Sequence, residues 1–298
     1  MGQKILMTDD NNTEDNNTED NNIERTGHRM RVTYIGHSGF LLEWEHCYWL
    51  FDYYQGTIPD LDGEKQIIVF CSHSHGDHFN PAVFALAQAY PHVSYVFSSQ
   101  VKPSCRKLSK NVKGIHLSEK QIREVCASSS EKMGKGSVLF PVPEVAFLPS
   151  RTDTEVSDGH GDVLKIHPLQ STDCGCGFYI SYKGKTVYHA GDLHWWFWPG
   201  EPEQDNKQMT GNYKKEMEYL EGKAIDYVFT PLDGRQEEAY GLGMDYLLHH
   251  AQVGHAFPMH FWNDYTVADR FLQEYELPEK TMFHKIGQEG QSWEFPEA

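Results

Sequence analysis

The feature that most constrains this chain is a continuous apolar run, Lys65 to Cys71 (KQIIVFC), which passes directly into His73-Ser74-His75-Gly76-Asp77-His78. A run of that kind reads as a strand covered on both faces. Three imidazoles and a carboxylate within six residues are hard to place in a core, because each buried polar group needs a partner. On a loop beyond a strand they can converge on a cation instead. Imidazole together with carboxylate suits zinc, iron or manganese, and the lack of thiolates in the run speaks against a purely structural zinc site. The bland alternative is a solvated, histidine-rich surface loop. Beyond the motif, Pro81 to Tyr90 has helical composition, with Asn80 as N-cap and Pro81 at the first helical position.

Around this centre the pattern alternates. Arg31 to Ile35, Gly39 to Trp44 and Tyr48 to Tyr53 read as an antiparallel meander. A strand is expected at Val163 to Leu169, and a hairpin at Phe178 to Tyr182 and Thr186 to His189, turned by Lys183-Gly184. Helices at Asn206 to Leu220, Met244 to Ala251 and Thr266 to Tyr275 then alternate with strands at Ile225 to Thr230, Ala256 to His260 and Met282 to Ile286. This pattern predicts two sheets with helices outside them. The region 100–160 is harder to read, with one short helix at Glu119 to Val125 and weak strands near Val138 and Val145. The tandem polar repeat NNTEDNNTEDNN can bury nothing, so residues 1–28 are expected as a disordered acidic tail and 29–298 as a single domain.

Charge and composition exclude some partners. A formal charge of −17 argues against a nucleic-acid backbone, which needs clustered Lys and Arg. No apolar stretch approaches the ~20 residues that span a bilayer, and no signal-peptide pattern opens the chain, so no membrane partner and a cytoplasmic location are expected. Oligomeric state is not readable. The six cysteines are too few and too scattered for a disulfide scaffold in a chain of this length. Only Cys174-Gly175-Cys176 brings two of them close together, either as thiols sharing one strand face or as a Gly-rich strand entry.

In this setting the sequence resembles the metallo-β-lactamase fold family. HxHxDH after an apolar strand is that family's signature. Tyr188-His189-Ala190-Gly191-Asp192 is similar to its strand ending in Gly-Asp, and Phe257-Pro258-Met259-His260 to its final strand. Gly36-His37-Ser38 and Phe51-Asp52 resemble the opening strands of the subgroup that contains L-ascorbate-6-phosphate lactonase, and the resemblance runs from about residue 31 to 288. It implies an α/β fold, an αββα sandwich of two mixed β-sheets flanked by helices. It also implies two divalent metal ions, zinc foremost, with manganese or iron as alternatives. Carried over by position, His73 and His75 hold a first metal, Asp77, His78 and His260 a second, and Asp192 lies between them. A metal-bound hydroxide is then the nucleophile, with Asp77 orienting it or shuttling its proton; Asp77 and Asp192 are thus the catalytic candidates. The family's third histidine for the first metal is absent, and Gln170 occupies its place in His167-Pro168-Leu169-Gln170-Ser171-Thr172-Asp173. Asp173 can fold back to replace it, whereas His167 is offset by three residues and points to the other sheet face.

Four further residues are candidates for substrate contact. Trp195 and Trp196 belong to the run His194-Trp195-Trp196-Phe197-Trp198 after Asp192, which makes either a wall for the substrate or a cap over the sheet end. His37 sits in a Gly-His-Ser turn between early strands, either as a substrate contact or a donor behind the metal ligands, or as a turn histidine bonded to backbone, and Arg235 sits where it can anchor a carboxylate or phosphate or form a surface salt bridge. His189 can orient a ligand carboxylate or simply be buried, and His249, His250 and His255 read as surface or packing residues. The function expected is hydrolysis of an ester, lactone, amide or phosphodiester bond in a small molecule. The reading from another class is a metal-binding, non-catalytic sensor or binding protein whose first site has degraded at Gln170.

Overall fold

The computed structural model describes residues 29–111, 115–117, 138–140 and 143–297. The meander forms as the sequence implies: β1 (Arg29–Gly36), β2 (Gly39–Glu43) and β3 (Cys47–Phe51) pair antiparallel in turn. β4 (Gln66–Cys71) lies parallel to β3, and β5 (Val93–Ser98) parallel to β4. Successive strand side chains point to opposite faces, and here both faces are apolar. Trp49, Phe51, Ile68 and Phe70 enter one buried cluster, while Tyr48, Leu50, Ile67, Val69 and Cys71 enter another. The second cluster also takes in Ala82 to Leu86, Val101 and Cys105. These come from the 3-10 turn Pro81–Ala85, α1 (Leu86–Ala89), the short turn Ser99–Val101 and α2 (Lys102–Asn111). Asn80 Oδ1 accepts from Ala82 N at 2.9 Å, the cap expected, although the first turn winds as 3-10.

β6 (Ile115–Leu117) and β7 (Val138–Phe140) form a separate antiparallel pair, and β8 (Val145–Leu148) extends the first sheet beyond β5. The second sheet opens with β9 (Thr154–Ser157), β10 (Val163–Gln170), β11 (Cys176–Tyr182) and β12 (Lys185–His189), all antiparallel. Lys183 and Gly184 both have positive φ, 46° and 75°, as a two-residue hairpin turn requires. From there β13 (Ala224–Pro231), β14 (Gln252–Met259) and β15 (Met282–Phe283) add in parallel. They alternate with α3 (Glu203–Met217), α4 (Leu242–His250) and α5 (Val267–Glu274). The two seven-stranded sheets are closed against each other by aromatic contacts such as Phe70–Phe178 at 5.4 Å and Phe40–Phe229 at 4.6 Å. This is the αββα sandwich expected.

Some elements differ from the sequence reading. β5 and β9 were not anticipated, and β16 (Ser292–Pro296) returns to pair antiparallel with β1. The strand expected over Met282 to Ile286 keeps only its first two residues, since His284 N donates to Ala256 O and the chain then turns through Gly287. The expected tail 1–28 and helix 119–125 lie outside the described residues. No helix among the described residues is long and apolar enough to cross a membrane.

Two glycines tie the second sheet to the histidine motif. Gly175 has φ 71°, and a Cβ there would lie 1.9 Å from Ser72 O and 2.8 Å from His73 Cβ. Gly191 has φ 53°, and its Cβ would lie 2.5 Å from Ser72 Cβ. The Cys-Gly-Cys sequence is therefore a strand entry whose glycine admits the motif backbone, and Cys176 N donates to Ser72 O at 3.1 Å. Strain and overlap together predict that Gly175→Ala lowers stability by about 2 kcal/mol or more, read from the urea midpoint. Gly211→Ala, on an exposed position of α3 with nothing within 4 Å of the added methyl, raises it by about 0.5–1 kcal/mol. Equal effects at the two positions would contradict the packing argument.

Candidate metal centre

Every candidate donor follows the carboxyl end of a strand. His37 follows β1, His73 to His78 follow β4, Asp173 follows β10, Asp192 follows β12 and His260 follows β14. These strands share one direction within each sheet, with their antiparallel neighbours β2 and β11 running the other way, so residues far apart in sequence meet at their common end. Two groups result, in each of which one donor atom per residue lies within 4.8 Å of all the others: His37, Asp77, His78 and His260; and His73, His75, Asp173 and Asp192. Asp192 faces both, with Oδ2 3.3 Å from His73 Nε2 and Oδ1 3.1 Å from His78 Nε2 and 3.5 Å from His260 Nε2. Asp173 Oδ2 lies 3.6 Å from His75 Nδ1. Gln170 does not join them: its backbone N–H donates to Glu216 and its side-chain amide to Ser171 O. His167 is turned to Asp153 at 2.6 Å and stacked on Tyr219, away from the cluster.

The imidazoles are held from behind. His78 Nδ1–H donates to Asp52 Oδ2 at 2.9 Å, and His260 Nδ1–H to Asp233 Oδ2 at 3.0 Å. Ser72 Oγ donates to Asp52 Oδ2 at 2.6 Å and so accepts from His73 Nδ1–H at 3.0 Å. These partners assign the tautomers, and each ring turns its Nε2 lone pair toward the cluster. The sequence reading gave Asp52 and Asp233 no role. Their signal was only a carboxylate at the end of β3 and another just beyond β13. His189 is buried with Nε2 on Ser38 O at 2.9 Å, and orients no ligand directly.

The arrangement fits a cation. His37 Nε2, His78 Nε2 and Asp192 Oδ1 are buried and lack a properly aligned hydrogen-bond partner, although they crowd together. Buried polar atoms are seldom left so. Electrostatics agrees. Burial disfavours a proton on His78, yet Asp192 and Asp52 overturn this and hold its pKa well above the ordinary histidine value. Burial likewise opposes charge on Asp192, and the positive potential of His78 and His260 holds its carboxyl far below the usual range. In His37 burial dominates and lowers the pKa. A cluster of this kind needs positive charge at its middle, and imidazole with carboxylate is the donor set for zinc, manganese or iron.

A cleft of about 300 Å³ opens over the donors, walled by Trp196, Trp198, Met209, Arg235 and Trp262, with His75, Asp77, Asp173, Asp192 and His260 at its base. Trp196 and Trp198 stack at 5.9 Å with planes 5° apart. Arg235 donates through Nε to Asp233 Oδ1 at 2.9 Å and lies 4.6 Å from the Trp262 ring. Of the expected substrate contacts, Trp195 does not reach the cleft, and His37 takes the other place expected for it, beside the candidate donors. Trp195 turns away, donating to Thr210 Oγ1 at 2.9 Å and packing on Tyr213 and Tyr246, because the loop Trp195–Trp198 directs alternate rings inward. His37 faces the donors rather than the cleft and is covered by Trp262, 4.6 Å away. His194 is fully buried on Gln236, with its pKa lowered to about 4 by burial. His249, His250 and His255 lie apart from the cluster, His255 against His284. Trp198 and Trp262 line the cleft where Trp195 does not, and in sequence Trp262 was marked only by its nearness to His260.

Comparison with known proteins agrees with this geometry. Residues 31–204, more than half of the chain, match the family described as "Beta-lactamase superfamily domain". A protein of Pelotomaculum thermopropionicum named a UPF0173 metal-dependent hydrolase is 27% identical over 166 residues, which is 55% of this chain and 62% of that protein. The chain thus spans less than two thirds of that relative's length. Among solved structures, Igni18, a metallo hydrolase from Ignicoccus hospitalis, superposes with a TM-score of 0.55 at 14% identity, covering 91% of this chain and 100% of that one. The metallo-beta-lactamase fold protein YhfI of Bacillus subtilis gives 0.54 at 15% identity, covering 90% and 100%. Identities this low speak for the fold alone. With the fold, the strand-end donors and the match over residues 31–204 taken together, the chain belongs to the beta-lactamase superfamily domain family.

Proposed function

We propose that this chain is a metal-dependent hydrolase holding two divalent cations, zinc foremost and manganese or iron as alternatives. Its substrate is a small molecule with an ester, lactone, amide or phosphodiester bond. The observation that supports this most is Asp192, whose two oxygens are divided between two donor groups. The likeness to a protein named a metal-dependent hydrolase also supports it, and the Gly36-His37-Ser38 and Phe51-Asp52 segments favour the lactonase-like subgroup. A sensor would follow from a first site degraded at Gln170; Asp173 Oδ2, 3.6 Å from His75 Nδ1, is within reach of that position, which favours the enzyme.

Cations bound there supply Lewis acidity and a water acidic enough to attack at neutral pH. The remaining work belongs to the chain. Asp77 is 22% exposed at the cleft base, with Oδ2 3.4 Å from His37 Nε2 and 3.7 Å from His260 Nε2. Burial opposes its charge, yet the hydrogen bonds from His260 and His37 hold its carboxyl far below the usual range, so it stays an anion that can accept from the attacking water and orient it. The three indoles Trp196, Trp198 and Trp262 form an apolar wall that limits water. A guanidinium has five N–H donors, and Asp233 engages Arg235 through Nε and one terminal nitrogen, which leaves donors for a substrate carboxylate or phosphate. The cleft's size and its acidic and imidazole neighbours, set against one arginine, disfavour a nucleic acid.

Two outcomes test the reading. Metal analysis of the purified chain is expected to give two ions per chain, with turnover on an ester and phosphodiester panel that Asp77→Ala lowers by about 10²-fold or more. One ion or none, with no turnover on any substrate, would establish the binding protein instead. Arg235→Ala is expected to raise KM for anionic substrates about tenfold with kcat little changed, the value of one charge-assisted hydrogen bond. A neutral ester should keep its kcat/KM within about twofold, and equal losses on both would remove the anchoring role.

A further inference from the structure

We propose that His37 is a protein ligand of the inner cation, so that the inner site is closed and the outer group, His73, His75, Asp173 and Asp192, carries the exchangeable ion. This rests on the reading that the cluster holds metal. His37 lies in the turn after β1 with φ 54°, a left-handed conformation that is unfavourable for a non-glycine residue. Its backbone oxygen accepts from His260 N at 3.2 Å, locking the turn to the loop that carries His260. The imidazole is 4% exposed, and its Nε2 is buried with no aligned hydrogen-bond partner, 3.4 Å from Asp77 Oδ2. Its ring lies 4.3 Å from that of His260 and 5.6 Å from that of His78. A turn histidine serving only packing would bond that nitrogen to backbone or expose it. This one aims it where three other donors already point.

The two groups then differ in kind. The inner one has His37, Asp77, His78 and His260, with Asp192 Oδ1 beside them, and all but Asp77 are buried. The outer one includes His75 and Asp173, whose side chains are 50% and 44% exposed. Both groups offer four protein donors, but the inner one gains Asp192 Oδ1 and is shut off from solvent, as retained ions are, whereas the outer one shares Asp192 and opens to solvent through His75 and Asp173, as reactive sites do. The open position belongs to the outer ion, at the base of the cleft beside His75 and Asp173.

The test is ion retention by the full chain, loaded with zinc, dialysed against a chelator and followed by elemental analysis. Wild type is expected to lose one ion and retain the other. His75→Ala should load only the retained ion and hold it as wild type does. His37→Ala should release that ion at least about tenfold faster. Cobalt substitution gives a second readout, since the visible spectrum of the retained ion should change in the His37 variant and not in the His75 variant. If His37→Ala fails to fold by circular dichroism, His37→Gln, which keeps bulk and polarity but loses the imidazole, carries the same comparison. Retention and spectrum unchanged in the folded His37 variant would overturn the assignment of this ligand. A wild-type chain that takes up no metal would overturn the metal-centre reading itself.

Discussion

The hydrogen bonds from His78 to Asp52 and from His260 to Asp233 are what the site depends on. A neutral imidazole has one nitrogen that donates and one that accepts, and the partner of the first decides where the second points. Asp52 and Asp233 are both fully buried, and each takes the Nδ1–H of one ring, so Nε2 faces the cluster without rotamer freedom. Burying a carboxylate is costly unless it is hydrogen-bonded, and each is: Asp52 by Ser72 and His78, Asp233 by Arg235 and His260. Removing either would leave its imidazole free to turn and would misplace a donor without touching the donor itself.

These bonds can form only because the two sheets meet closely at Ser72. Its backbone N–H donates to Asp52, its hydroxyl receives His73, and its carbonyl accepts from Cys176 at the start of β11. Gly175 and Gly191 lie so near that neither could carry a side chain. One residue beyond β4 thus connects the ends of β3, β11 and β12 with the first histidine of the motif. The layering that buries β4 on both faces and the convergence of donors at its end are one constraint seen at two scales.

Local signals made much of this legible in the sequence. The doubly apolar run over β4, the hairpin at Lys183-Gly184 and the alternation of helices and strands after residue 200 are set by neighbours a few residues apart. What stayed hidden is non-local. β16 finds β1 from the opposite end of the chain, and no pattern within SWEFP announces that partner. Asp52 and Asp233 resemble any acid near a strand end until the opposing histidine is in place. Asp173 could be singled out in sequence because a loop residue three positions beyond Gln170 is free of the strand's alternation, and its carboxylate lies 3.6 Å from His75 Nδ1. Trp195 and Trp196 were indistinguishable in sequence. The hydrogen bond of Trp195 to Thr210 on α3, a contact across 15 residues, turns one ring from the cleft and leaves the other in it.

Charge balance explains why the cleft carries an arginine at all. Asp52, Asp77, Asp173, Asp192 and Asp233 crowd around the donors, where a bound cation would offset them from within, while Arg235 offsets Asp233 from the rim. Because Asp233 also holds His260, an anion that reached Arg235 would draw on the same carboxylate that orients a donor ring. Asp233 also keeps the fork in a fixed plane beside Trp262. An anion reaching this rim would therefore meet both a charge and a pre-oriented fork beside an indole face, so that shape would add to charge in selecting it.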